Sequence, residues 1–285
     1  MTTDARAMAA MYETLSRWQW WRRRWARARA GEGLELRKRL LPSTQGGPAD
    51  GGPGLDRWLQ AKLDGRPAAR VLDLGCGFGA SLLRWIERGD AVGVGVTQSA
   101  FQIARATAEA RRRGLAARCR FLRQDFTAPV DGDFDVVLAV EALGHALDLD
   151  SVLQHVHAVL RRGGTFVWIE DLLRHPLSGD LDVAEVARRW GSPPLRDVVS
   201  ARDAIGRAGL RIVEETDLSA QVPILPVASA LARSRRLGRL HACLPLRPLR
   251  RLVDAFAGGL ALQRLYARGL ACYRVWVSER PAAVA

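Results

Sequence analysis

The stretch "RVLDLGCGFGASLLRW", Arg70 to Trp85, constrains the fold more than any other part of this chain. An apolar run, Val71 to Leu74, meets glycines at 75, 77 and 79, and a helical pattern follows at once. A strand that turns on glycines into a helix lets main chain approach a ligand closely at the carboxyl edge of a sheet. From there apolar runs and helical patterns alternate: "AVGVGV", "AFQIARATAEARRRG", "RCRFLR", "FDVVLAV", "DSVLQHVHAVLRRGG", "TFVWIED". That alternation predicts an α/β chain whose parallel sheet is wrapped by helices.

Local signals set the boundaries. Ser99 with Gln102 reads as a capping box, "RRGG" at Arg161 to Gly164 as a helix stop, and Ser200 with Asp203 as the cap of a later helix. Asp171 also reads as a helix cap. The last strands are "LRIVEETDLS" and "ACYRVWVSE", with about fifty Arg- and Leu-rich residues between them, far more than a direct connection needs. At the front, Met8, Met11, Leu15, Trp18, Trp21 and Trp25 recur at helical steps, with arginines on the other face. A Gly/Pro-rich break, Pro42 to Gly54, then separates this arm from a short helix around Leu55 to Leu63. The organisation expected is an amphipathic arm and linker over 1–54, then one domain over 55–285 with cap insertions near 172–199 and 220–268.

Composition excludes little. The 285 residues are 48% hydrophobic, enough for a buried core. Cys76, Cys119, Cys243 and Cys272 are scattered without metal-ligand spacing, so a reduced, cytoplasmic setting and no protein metal site are expected. The N-terminus lacks a secretory pattern, and no apolar run reaches the ~18 residues of a membrane span. A net charge of +13 fits a nucleic-acid binder or an enzyme for anionic substrates, and an Arg-rich, GC-rich genome explains it equally well.

A G-x-G-x-G turn alone is weak evidence. Here Asp73 precedes it, and "LDLGCGFG" resembles the first motif of the class I S-adenosylmethionine-dependent methyltransferases. "FLRQDF" is similar to that family's adenine-contacting segment, with Asp125 and Phe126, and "FDVVLAVEALGH" and "VLRRGGTFVWIED" are similar to its fourth and fifth strands. The resemblance implies a Rossmann-like class I methyltransferase fold, a seven-stranded, mostly parallel sheet with helices on both faces. It also implies S-adenosylmethionine as cofactor, held by Asp73, Gly75, Cys76, Gly77, Thr97, Gln98, Gln102, Asp125, Phe126 and Glu141. A carboxylate before the loop suits the cofactor's sulfonium and amino cations. The second strand ends in Thr97 where a ribose-binding acid is usual, and "GVTQSAFQ" resembles the sterol, tocopherol and prenyl-diphosphate C-methyltransferases and the cyclopropane synthases. In that branch Thr97 and Gln102 would hold the cofactor by neutral hydrogen bonds, although Gln102 also fits a simple cap.

The branch implies methylation of an alkene carbon, in which a cation forms and a base removes a proton. Glu170 is the expected base, with Glu141 and His145 orienting substrate or cation; Glu141 could equally serve as a cap or amine partner, and His145 as a wall. Trp190 and Trp21 fall where a substrate cap is expected, and plain packing explains Trp190 as well. The Trp/Arg arm has three readings: a lid over a prenyl chain, a peripheral contact with anionic lipid, or a subunit contact in a homo-oligomer. The aromatic and glycine segments of sterol enzymes are missing at the N-terminus. A short prenyl diphosphate such as geranyl diphosphate is therefore the expected acceptor, with Mg2+ as the diphosphate's partner. The alternatives are O- or N-methylation of a small natural product, with His145 as base, and a nucleic-acid binder with a vestigial methyltransferase fold; no nucleic-acid partner is expected.

Overall fold

The computed structural model describes residues 3–25, 37–38, 40–41, 48, 52–62 and 70–282. Most of the linker expected from Pro42 to Gly54 lies outside them, but Gly52 to Gly54 already belong to a helix. Strands β1 (Arg70–Leu74), β2 (Val92–Thr97), β3 (Cys119–Arg123), β4 (Phe134–Val140), β5 (Leu160–Leu173), β6 (Arg211–Asp217) and β7 (Ala271–Glu279) form one sheet in the order β3-β2-β1-β4-β5-β7-β6. The pairs β1 with β2, β1 with β4, β2 with β3 and β4 with β5 are parallel; β6 runs antiparallel to β7. All of β1 except Arg70 and all of β2 except Val92 is buried, which is why these strands read as apolar runs rather than alternating ones.

Nine α-helices are described: α1 (Thr3–Trp25), α2 (Gly52–Lys62), α3 (Ala80–Glu87), α4 (Ala100–Arg112), α5 (Leu149–Val159), α6 (Leu181–Trp190), α7 (Val198–Arg207), α8 (Val227–Cys243) and α9 (Arg247–Ala267). Contacts divide the chain into a sheet unit, Arg29–Glu170 with Ala201–Pro223 and Tyr273–Ala285, and a helical unit, Met1–Ala28 with Asp171–Ser200 and Ile224–Cys272. In the helical unit α9 is the common partner of α1, α6 and α8. Trp18 of α1 meets Phe256 of α9 edge-on at 5.2 Å. Trp190 of α6 lies against Gly258, where a side chain would collide with its indole, and donates to the Ala255 carbonyl at 3.1 Å.

Four local expectations are corrected. Helix α5 stops at Val159, and "RRGG" belongs to β5, where Gly163 N–H donates to the Arg280 carbonyl and Arg280 N–H to that of Gly164. A register shift against β4 between Phe134 and Val136 accommodates the extra residues. Helix α7 is capped by Asp197, which accepts from Ser200 N–H at 3.0 Å, so Ser200 is the partner of the cap and not the cap. Asp171 is a buried strand residue that accepts from the Tyr266 hydroxyl. Met8 and Met11 are buried as their spacing predicts, but Trp21 is 53% exposed and meets the Trp20 ring edge-on.

Candidate active site

The sheet order places β2 on one side of β1 and β4 on the other, and ligands of open α/β sheets bind where the order reverses in this way. Leu74 pairs with both Val96 and Ala139, and Val140 with Ile169. Thr97, Gly75, Glu141 and Glu170 therefore follow one another along the same side of the sheet. The glycine turn is drawn tight there, with Gly75 and Cys76 N–H both donating to the Val96 carbonyl at 2.9 Å. Gly75 has φ 76, and a Cβ on it would lie 2.5 Å from that of Ala142, so only glycine fits. Phe126 flanks the same spot, 3.7 Å from that position, while a Cβ on Gly77 would meet nothing within 4 Å. The turn thus presents main chain to open space beside an aromatic ring.

Asp73 is buried, and its pKa is raised from 3.8 to about 7. Burial is the main cause, the charge of Asp56 adds to it, and Arg37 and Arg84 oppose it. Those three residues form a cluster that sequence reasoning missed. Asp56, 1% exposed, accepts from Arg37 at 2.9 and 3.0 Å and from Arg84 Nε at 2.5 Å, and Arg37 also donates to Ser81 Oγ at 3.0 Å. The segments are separated by 19 to 44 positions, and no local pattern joins them. Cys76 is buried with its thiol pKa pushed well up by burial and by Asp73, so it lines the turn as a thiol and not as a nucleophile.

At the end of β2, Thr97 and Gln102 are buried and paired, the threonine hydroxyl donating to Gln102 Oε1 at 2.6 Å. Gln102 N–H donates to Ser99 Oγ at 3.1 Å, so the cap forms while the glutamine side chain turns to Thr97. Asp125 accepts from the N–H and hydroxyl of Thr127 at 3.0 and 2.9 Å, and from the Gln98 amide. Gln98 Oε1 is buried with no hydrogen-bond partner among the described residues. An acceptor buried without a donor is costly unless a ligand supplies one. Open main chain at Gly77, a buried acid for a cation, neutral Thr97 and Gln102, and this orphaned acceptor together fit S-adenosylmethionine.

Glu141 and Glu170 follow as neighbours. Glu141 has φ 51, an unfavourable conformation for a side-chain-bearing residue. Its Oε1 accepts from Lys38 N–H at 2.9 Å and from the Tyr273 hydroxyl at 2.7 Å. Tyr273 and Lys38, whose ammonium lies 5.4 Å from the Tyr273 ring centre, were not expected from sequence. Glu170 is buried and accepts from Gly144 N–H at 2.7 Å. A Cβ on Gly144 would come within 3.1 Å of the Glu170 carboxyl carbon, so glycine there permits the close approach. His145 ends the same 3-10 turn, Leu143–His145, and is half-buried. Beneath Glu170, Trp168 packs on Trp276 at 5.1 Å between ring centres. Trp190 and Trp21 belong to the helical unit. Among the described residues no cluster of three or more His, Cys, Asp and Glu side chains is placed to hold a metal ion.

Residues 66–178 match the family model described as a methyltransferase domain. A sterol 24-C-methyltransferase of Aspergillus fumigatus is 30% identical over 186 residues, which is 63% of this chain and 49% of that protein. The chain spans about half the length of this curated relative. Among solved structures, the (4+2)-cyclase SpnF superposes with TM-score 0.65 at 22% identity, covering 87% of this chain and 88% of that one. The geranyl diphosphate C-methyltransferase of Streptomyces coelicolor, solved with Mg2+, geranyl diphosphate and S-adenosyl-L-homocysteine, gives 0.62 at 16% identity, covering 88% and 93%. At these identities the structural likeness establishes the fold. Residues 66–178 are thus similar to a methyltransferase domain, and the sheet has the Rossmann-like order of the class I methyltransferase fold. The sequence relatives matched over about half their length, the Aspergillus fumigatus enzyme and a cycloartenol-C-24-methyltransferase of Arabidopsis thaliana at 27% identity, are both sterol-type C-methyltransferases.

Proposed function

We propose that this protein transfers the methyl group of S-adenosylmethionine to an alkene carbon of an isoprenoid, and that a short prenyl diphosphate such as geranyl diphosphate is its acceptor. The observation that carries the reading is the row of groups along one sheet edge. It begins with a cofactor turn that has neutral Thr97 and Gln102 at the β2 end, and it continues to Glu141, just after β4, and Glu170, within β5 where its pairing with β4 ends.

When bound, the cofactor supplies an electrophilic methyl group. Asp73 answers its cations, Thr97, Gln98 and Gln102 offer neutral hydrogen bonds, and Phe126 supplies an aromatic face. An acceptor whose π electrons bonded to that methyl, as the methyl's bond to sulfur broke and its electrons stayed on the departing neutral thioether, would be left with a positive carbon. Glu170, screened from water and steadied by Gly144 N–H, takes the proton from the adjoining carbon, and the C–H electrons become the new double bond. Glu141, tied to Tyr273 and Lys38, fixes the neighbouring wall and adds negative charge near the cation. A diphosphate acceptor would bring Mg2+ as its own counterion.

The test is the rate of S-adenosylhomocysteine release with isoprenoid diphosphates of increasing length, a sterol, and hydroxyl and amine acceptors. Turnover confined to one or two diphosphates supports the reading. Turnover confined to hydroxyl or amine acceptors overturns it.

A further inference from the structure

The tip of the α8–α9 hairpin is built unlike the rest of the surface. From Ile224 to Arg251 the sequence holds seven arginines and no Asp or Glu. Helix α8 buries one residue, Ala230. The tip exposes Leu240 in the last turn of α8, Leu246 in the connection and Leu249 in the first turn of α9, by 48%, 59% and 42%. Arg236, Arg239, Arg247 and Arg250, all exposed, surround these leucines in sequence. Arg250 Nε also donates to the Leu244 carbonyl at 2.6 Å, so the tip is held in shape.

Elsewhere several surface arginines find carboxylates, as Arg112 does with Glu109, Arg161 with Asp135, Arg202 with Glu215 and Arg207 with Asp150, and those that do not, such as Arg111, Arg120 and Arg162, are not gathered around exposed leucines. Among the described residues Arg233, Arg235, Arg236, Arg239 and Arg247 have no carboxylate within ion-pair distance. The nearest acid along α9, Asp254, is engaged by Arg189 at 2.6 Å and faces His241. Unpaired cations alone would suit any polyanion. Three large leucines at the apex gain nothing from a nucleic-acid backbone but are stabilised in the acyl boundary of a bilayer, with the guanidinium groups at phosphate level.

We propose that the α8–α9 tip docks the protein on an anionic lipid surface, the leucines entering the interface and the arginine collar meeting the headgroups. No described helix is long and apolar enough to cross a membrane, so the contact is peripheral. The inference goes beyond the proposed methyl transfer, and binding is read without turnover, so each fails independently of the other.

The test is co-sedimentation of the full chain with vesicles of phosphatidylcholine alone and of phosphatidylcholine mixed with phosphatidylglycerol. Binding is expected on the mixed vesicles and not on the neutral ones. Replacing Arg236, Arg239 and Arg247 by Gln should weaken it about a hundredfold, from about a fivefold loss per charge. Leu240→Ser with Leu246→Ser and Leu249→Ser should abolish the part that survives raised salt. Cofactor affinity and thermal unfolding, unchanged in both variants, show that they fold. Equal binding by wild type and both variants, no binding to anionic vesicles, or a collar that binds RNA while vesicles do not compete, overturns the proposal.

Discussion

At the scale of the residue, Asp73 and Glu170 carry different burdens. Between pH 3.8 and about 7 the folded protein keeps a proton on Asp73 that the unfolded chain has lost. The stability this provides is complete below the lower value and is lost as pH rises through the upper one. In the proposed function the cofactor's cations need the carboxylate. Its affinity should therefore climb about tenfold per pH unit and level off near pH 7. Calorimetric titration with S-adenosylmethionine across that interval should show this slope, and Asp73→Asn should bind weakly without it. A flat profile in the unaltered protein would show that the proton on Asp73 is not linked to binding. For Glu170→Gln, single-turnover measurements should find the chemical step slowed about a hundred- to ten-thousandfold. Cofactor affinity should stay within about twofold, since the amide oxygen can still accept from Gly144. A loss of affinity equal to the loss of rate would assign Glu170 to cofactor binding instead.

At the scale of the element, the pieces legible in sequence were those with a short-range cause. The glycine turn, the β1 to β4 runs and the helix cap at Ser99 depend on neighbours a few positions away. Tyr273 reaches Glu141 across 132 positions, and Arg37 reaches Asp56 from a segment with no periodicity of its own. Such partners become visible only when the sheet has aligned its strand ends. The "RRGG" error has the same origin, because cations and glycines that would end a helix also suit a strand that exchanges hydrogen bonds with Arg280. Within the helical unit, α9 joins α6 through Trp190 and Gly258. Gly258→Ala forces the indole away and should lower the stability of that unit by about 1–3 kcal/mol. Denaturant unfolding followed by tryptophan fluorescence checks this. An unchanged midpoint would mean that α6 and α9 shift apart at little cost.

At the scale of the whole molecule, the net charge of +13 names no partner by itself, but its distribution is informative. In the sheet unit many cations are committed: Arg37 and Arg84 to Asp56, Arg113 to Glu109 and Glu87, Arg274 to Glu215 and Asp217. On α8 and the start of α9 a run of arginines stands without an acid between them. A lipophilic acceptor and a lipid-facing tip are compatible demands on one chain, and neither depends on the other. The central claim is carbon methylation, and mass spectrometry of the dephosphorylated product made from methyl-deuterated S-adenosylmethionine and geranyl diphosphate tests it most directly. The expected product has gained an intact CD3 group on carbon and lost one hydrogen of its own. An unlabelled isoprenoid, recovered while the bound cofactor passes its methyl to an oxygen or nitrogen acceptor, would contradict that claim.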